Sequence, residues 1–131
     1  MSTTLQQING ALGYVESSHV HGHLQAAALQ NASGGYAKPT NKAASEPLAS
    51  VELGHDLTGI DPNPKAGYLL VTFTWILLYK RVYGDKLDGA KETFGYILSD
   101  EAQAIAPELG FVSLPPNVLS KARAALGNIV D

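Results

Sequence analysis

The sequence predicts an α/β fold, and three patterns support that prediction. Residues 68–80, "YLLVTFTWILLYK", form a nearly continuous apolar run rich in residues that favour strands. Apolar residues recur at helical spacing over 87–98 and again over 116–129. Residues 9–16, "NGALGYVE", combine a turn signal with a short apolar stretch. At 131 residues and 45% hydrophobic composition, the chain has the size and apolar content of one modest globular unit.

The first part of the chain predicts a short strand followed by a helix. Asn9-Gly10 is a turn signal, and three residues after it suit a buried strand: Leu12, Tyr14 and Val15. From about residue 18 to Gln30 the spacing becomes helical, and Ser17 or Ser18 is a suitable N-cap. Gly34 and Gly35 then provide residues for a left-handed helix C-terminus.

The middle of the chain predicts mostly loop, followed by the clearest strand. Residues 36–66 contain four prolines and only weak periodicity, with a short helix over Thr40–Val51. Residues 68–80 are apolar at almost every position, which is typical of a strand covered on both faces in the middle of an α/β sheet.

The C-terminal part predicts three helices. Gly84-Asp85 turns the chain into a helix over Leu87–Leu98, and Ser99 is the expected N-cap of the next helix. Pro107 keeps that helix short, and Gly110 ends the region. Pro116 suits the first turn of a last helix, whose expected buried stripe is Val118, Leu119, Ala122, Ala125, Leu126 and Ile129.

Composition argues against several classes of function. Nine basic and twelve acidic residues give a net charge of −3, and no basic cluster exceeds Lys80-Arg81, so we expect no nucleic-acid binding. The chain has no cysteine for a disulfide or a thiolate metal site. The apolar run at 68–80 is shorter than the roughly 20 residues of a membrane helix. The N-terminus, "MSTTLQQING", has no basic start and no apolar core, and so does not predict a secretion signal.

Three histidines within "SSHVHGH" raise the possibility of a metal site. His19 and His23 would share one face of the predicted helix, whereas His21 would point elsewhere. A closed zinc site needs about four ligands, and the nearest candidates, Glu16 and His55, lie at spacings that are not diagnostic. We therefore expect a solvated helix face and assign no metal ligand.

The other chemical signals are equally weak. His55-Asp56 has no nucleophile placed beside it, and we expect an ordinary loop there. Ser33-Gly34-Gly35 could cradle an oxyanion with its amides, but it does not match the P-loop pattern, and a helix terminator explains it more simply. Trp75 with Tyr68, Phe73 and Tyr79 could stack on a ligand, although core aromatics are commoner at strand spacing. No catalytic residue and no cofactor is assigned, and we expect no enzyme.

Three motifs in order resemble the C-terminal part of the phosphate-binding proteins of ABC transporters, which are class II periplasmic solute receptors. "NGALGYVE" resembles the G-A-I-G-Y-V-E strand of that family, and "FTWILLYK" resembles its strand that returns through the hinge. "ILSDEAQAIAPELGFVSLPPNVLSKARAAL" resembles the closing helix, the L-G-Y-x-x-L-P sequence and the last helix. The resemblance covers residues 8–130.

The resemblance implies an incomplete two-lobed receptor. It predicts a partial type II periplasmic-binding-protein fold, consisting of the C-terminal part with hinge-crossing strands and flanking helices. Residues 1–66 would be part of the second lobe, and residues 67–131 would return to the first. Members of the family are more than twice as long, so each half would lack strands against which it normally packs.

The phosphate ligands of the family are not found in this sequence. The family holds phosphate with threonine, serine and aspartate near its N-terminus and with a loop of the type R-x-x-x-S-G-T. Neither Arg81 nor Arg123 begins such a loop, and no arginine stands four positions before Ser33. We therefore assign no phosphate-binding residue. The resemblance also places the three histidines on a surface helix that does not bind metal in the family.

Two functions follow as expectations. The first is the phosphate-binding component of an ABC uptake system, periplasmic or at the cell surface, which binds phosphate and meets the transporter permease only when the missing N-terminal portion is supplied. The alternative is a structural or interaction module derived from such a receptor and reused without ligand, for example in a virus particle. In both cases exposed strand edges predict self-association or another protein partner.

Overall fold

The computed structural model describes residues 2–59, 63–81 and 83–131, and helices make up most of its regular structure. The elements are α1 (Ser2–Gln7), a 3₁₀ turn (Ser17–His19), β1 (Leu29–Gln30), β2 (Tyr36–Ala37), α2 (Asn41–Ser50), a 3₁₀ turn (Gly84–Lys86), α3 (Leu87–Ile97), α4 (Asp100–Ile105), a 3₁₀ turn (Ala106–Leu109) and α5 (Pro116–Gly127).

The prediction of an α/β periplasmic-binding-protein fold is wrong for this structure. Among the described residues the sheet consists of β1 and β2 alone, paired antiparallel with Leu29 opposite Ala37. Residues 68–80, predicted to be a central strand, belong to no sheet. The physical reason is that a strand needs a neighbour for its backbone hydrogen bonds, whereas a helix makes its own.

The predicted strand and helix near the N-terminus are also wrong. Residues 11–16 have no regular structure, and Leu12 and Tyr14 are 98% and 80% exposed rather than buried. Only Ser17–His19 of the predicted helix is helical, and its last residues form β1 instead. Gly22 lies in the left-handed region at φ 67°, which is incompatible with a continuous right-handed helix. Gly34 is left-handed, as predicted for one of the two glycines, but it lies in the turn between β1 and β2.

The helices with local start signals are confirmed. Thr40 caps α2, since its side chain accepts a hydrogen bond from the Ala43 amide, and Ser99 caps α4 by accepting from the Ala102 amide. The predicted helices over Leu87–Leu98 and from Pro116 correspond to α3 and α5. Of the stripe expected on the last helix, Val118 and Ile129 are buried, whereas Ala125 is exposed.

The core joins three distant parts of the chain. Leu48 and Val51 at the end of α2 pack with Phe73 and with Val118 of α5, and four partly buried residues surround this cluster: Leu53, Val71, Val112 and Leu114. Phe73 therefore connects the predicted strand region to helices on both sides of it in the sequence. These contacts cross residue 66, and the division into segments 1–66 and 67–131 stays a prediction.

Pro47 inside α2 leaves a backbone carbonyl free to bind the start of residues 68–80. Proline has no N–H, so the Ala43 carbonyl one turn earlier has no helical donor, and the Tyr68 amide donates to it at 2.7 Å. Gly67, at φ 78°, brings the chain so close that an added Cβ would collide with the Ala43 carbonyl oxygen and would lie 2.6 Å from Pro47 Cδ. The proline and the glycine together attach the start of the apolar run to α2.

Gly67→Ala is expected to destabilise the chain by about 2–3 kcal/mol, because it combines a left-handed alanine with a backbone collision. Gly10→Ala is the matched control, since Gly10 has φ 79° and nothing within 4 Å of the added Cβ. Urea unfolding followed by circular dichroism measures both. Equal losses in the two variants would show that the contact with α2 contributes nothing.

Candidate functional site

Residues 69–79, here called the apolar segment, have no regular secondary structure and lie between two attached ends. The Tyr68 amide donates to Ala43 at one end, and the Val130 amide donates to the Lys80 carbonyl at 3.0 Å at the other. Between these points no backbone hydrogen bond joins the apolar segment to another described residue. Unpaired N–H and C=O groups in a segment rich in strand-favouring residues are available for pairing with a further strand.

The side chains of the apolar segment change character along its length. In the first half, Phe73 lies in the core and Val71 packs against it. Leu70, just before this pair, is 64% exposed. After Trp75 no residue is buried: the exposed large apolar side chains are Ile76, Leu77, Leu78 and Tyr79. The first half of the segment therefore belongs to the core, and the second half is an apolar surface without a covering element among the described residues.

Trp75 lies between the two halves of the apolar segment and contacts residues on both the core side and the 54–58 side. Its ring meets Phe73 edge to face, with centroids 6.2 Å apart and planes at 72°. Its Nε1–H donates to the Leu57 carbonyl at 2.9 Å. Of the aromatics considered as a stacking platform, Phe73 is thus in the core, Tyr79 is exposed and Trp75 is used in an internal contact.

Leu57 lies in a tight turn formed by residues 54–58. The Gly54 amide donates to the Thr58 carbonyl at 2.8 Å, and Asp56 Oδ1 accepts from the Thr58 hydroxyl at 2.7 Å and from its amide at 3.1 Å. These bonds to Thr58, the hydroxyl first, lower the pKa of Asp56 from its ordinary 3.8, and the adjacent His55 adds to the effect. The predicted His55-Asp56 loop is confirmed, and its carboxylate has a structural partner.

The turn is expected to loosen in acid. A carboxyl whose pKa is lower in the folded chain stabilises the fold above pH 3.8, and this contribution is lost as the pH falls through the lowered value. Fluorescence of Trp75, the only tryptophan, reports the change because its indole contacts the turn. Asp56→Asn retains an acceptor without the titrating charge and should remove this part of the acid transition. An unchanged transition in that variant would contradict the role given to Asp56.

The histidines do not converge. His19, His21 and His23 are all exposed, and because the predicted helix is absent, His19 and His23 do not share a helical face. His21 Nδ1 lies 3.4 Å from the side-chain nitrogen of Gln6. Within residues 2–59, 63–81 and 83–131, no group of three or more histidine, aspartate or glutamate side chains is placed to hold a metal ion.

The Ser33-Gly34-Gly35 amides are used internally. Asn31 Oδ1 accepts from the amides of Ser33 and Gly35, at 3.2 and 3.1 Å, and the Asn31 carbonyl accepts from Gly34 at 2.9 Å. This arrangement leaves none of the three amides directed at an oxyanion. Sequence analysis missed Asn31, although an Asn followed two residues later by Ser is typical of such a turn.

Arg123 is engaged in a helix cap. Its Nε and Nη2 donate to the Leu98 carbonyl at 2.8 and 2.6 Å, and Nη2 also bonds Asp100 Oδ1 at 2.7 Å. The guanidinium therefore holds the end of α3 to the start of α4 and lines a shallow depression beside Lys91. Arg81 is exposed at the end of the apolar segment.

Two further findings concern the relatives of the chain and its capacity to span a membrane. No protein-family model and no curated protein matches the chain. No helix in the described part of the chain is both long and apolar enough to cross a membrane. The resemblance to phosphate-binding receptors therefore stays a prediction, and the exposed apolar segment is the best-supported candidate for a functional surface.

Proposed function

We propose that this chain is a binding component that works together with a partner chain, which covers the apolar segment. The partner of first choice is the N-terminal portion of a phosphate-binding receptor, so that the pair serves an ABC phosphate-uptake system. The second candidate is an interaction module that associates in the same way without binding phosphate. Association with a partner rests on one observation, the unpaired and largely uncovered stretch at residues 69–79. The choice of a phosphate receptor as that partner rests on the resemblance of three sequence motifs to that family.

The total exposed surface of the chain supports association with a partner. The chain exposes 9444 Å² of accessible surface. A compact monomer of its mass exposes about 6600 Å². The difference, roughly 2800 Å², is at least as large as the surface that one chain buries in an obligate interface, about 1000–2500 Å². A chain with this much surface gains stability by association, because each Å² of apolar area removed from water contributes about 25 cal/mol.

The backbone of the apolar segment supports pairing through a strand. A partner strand would supply donors and acceptors to a row of groups that have none among the described residues. The exposed side chains of Ile76 and Leu77 would be covered at the same time. Lys80 and Arg81 at the end of the segment would favour a partner with acidic residues there.

Phosphate titration separates the two candidates. By isothermal calorimetry with inorganic phosphate, the chain alone is expected to give no binding heat, because no phosphate ligand is assigned to its residues. Micromolar or tighter binding by the chain alone would contradict the assignment. The same titration is then made with a receptor N-terminal portion that carries the threonine, serine and aspartate ligands. Phosphate binding that is tighter in the mixture than with that portion alone favours the receptor component, and no gain favours the interaction module.

A further inference from the structure

The exposed part of the apolar segment is bounded at both ends and centred on Leu77. Phe73 before it is buried in the core, and the Lys80 carbonyl at its end accepts from the Val130 amide. Residues 74–80 are all exposed, and Leu77 has the most exposed apolar side chain among them, at 93%. Leu77 is also the midpoint of this stretch. Such a stretch is suited to pairing with itself, because a two-fold axis passes through a midpoint.

The side chains of residues 74–80 favour an antiparallel second copy. Antiparallel pairing centred on Leu77 places aromatic opposite aromatic and aliphatic opposite aliphatic, with no charge opposite a like charge: Trp75 faces Tyr79, Ile76 faces Leu78, and Thr74 faces Lys80. Parallel pairing in register would place Lys80 opposite Lys80, and like charges directly opposite each other are destabilising. The single basic end of the stretch therefore selects the antiparallel direction.

The backbone of the stretch offers one free edge for this pairing. In a strand, the N–H and C=O groups of alternate residues point to opposite edges. The even-numbered residues of 74–80 share the edge that the Val130–Lys80 bond partly occupies. The odd-numbered residues share the other edge, where no described residue supplies a backbone partner. At that edge Leu77 would form a hydrogen-bonded pair with Leu77 of the second copy, with Cα atoms about 5.5 Å apart.

We propose that residues 74–80 pair antiparallel with the same residues of a second copy, so that two chains form a closed dimer about a two-fold axis through Leu77. The dimer rests on the proposed function, since it uses the same surface, and the second copy is the occupant of that surface when no other partner is present. The chain exposes roughly 2800 Å² more than a compact monomer, whereas a standard interface needs about 800 Å² per partner. A two-fold contact is closed, so assembly stops at two chains.

Cysteine cross-linking locates the axis, because the chain has no cysteine of its own. Leu77→Cys brings two cysteines opposite each other, at a Cα separation that a disulfide spans. Tyr79→Cys places each cysteine opposite residue 75 of the second copy, so the two lie about 13 Å apart along the strand, too far for a disulfide. Leu12→Cys, 98% exposed and outside the segment, is the matched control for random collision. All three positions are exposed, so the fold is retained.

Each variant is oxidised with copper phenanthroline at micromolar concentration, and the covalent dimer is followed by non-reducing gel electrophoresis. Leu77→Cys should form this dimer at least about tenfold faster than Tyr79→Cys or Leu12→Cys. Equal rates at positions 77 and 79 would indicate parallel pairing in register, and equal rates in all three variants would indicate random collision. Either result would overturn the two-fold dimer.

Sedimentation of the wild-type chain distinguishes failure of the dimer from failure of the proposed function. The mass should rise to that of two chains and no further. Association without preferential cross-linking of Leu77→Cys, or assembly beyond two chains, would overturn the dimer and leave the proposed function in place. A monomer at every concentration would also overturn the dimer, and the phosphate titration with the receptor N-terminal portion would then decide the proposed function separately.

Discussion

Phe73→Ala is expected to lower the free energy of unfolding by about 3–5 kcal/mol, the usual cost of removing a buried aromatic ring. Phe73 is 9% exposed and packs with Leu48, Val51 and Val118, so its ring joins both sides of the core. Natural domains are stable by only about 5–15 kcal/mol. The variant should therefore lose a large share of its stability and unfold at a much lower urea concentration than the wild type, which far-ultraviolet circular dichroism in a urea series would show.

Leu77→Ala is the matched control for this loss. It removes an apolar side chain from the same segment, but Leu77 is 93% exposed and should cost less than about 0.5 kcal/mol. The contrast tests whether the first half of the apolar segment belongs to the core while the second half does not. Similar losses in the two variants would contradict that division.

Leu77→Lys is expected to weaken self-association at least tenfold. A charge placed on the exposed half of the segment has to be desolvated when a strand pairs there, and lysine on an edge is a common way of blocking such pairing. Multi-angle light scattering over a concentration series gives the mass of each variant. The substitution should leave the unfolding free energy nearly unchanged, because Leu77 does not contact the core cluster.

Leu12→Lys is the control for added charge. Leu12 is 98% exposed and lies outside the apolar segment. This variant changes the net charge equally and should associate like the wild type. If Leu12→Lys and Leu77→Lys weakened association to the same extent, general charge repulsion rather than a surface at 69–79 would explain the result.

The parts of the fold that were predictable from sequence have local causes. Thr40 and Ser99 cap helices through bonds to residues three positions later, and Pro116 begins α5. Such signals involve residues within one helical turn, so they act independently of the tertiary contacts of the chain. Residues 68–80 have strong strand preference, yet strand formation depends on a neighbour that the preference does not supply.

The candidate surface was predictable in part. The apolar run and the expectation of exposed edges were evident from sequence, whereas the Trp75–Leu57 bond joins residues 18 positions apart and has no local signal. The turns at Asn31 and Asp56 did have a local sequence signal. A hydroxyl residue follows each of them two positions later, and its hydroxyl donates to the Asn31 or Asp56 side chain. The histidines were expected on a solvated helix face with no metal ligand assigned; they are exposed, but the expected helix is interrupted at Gly22.

Sedimentation equilibrium of the wild-type chain over a dilution series tests the central claim most directly. The claim is that the chain carries an uncovered apolar segment and more surface than a self-sufficient monomer. It predicts a mass above the 13.8 kDa of one chain at micromolar concentration, falling towards that value on dilution. A mass of 13.8 kDa at every concentration, with the frictional ratio of a compact sphere, would contradict it.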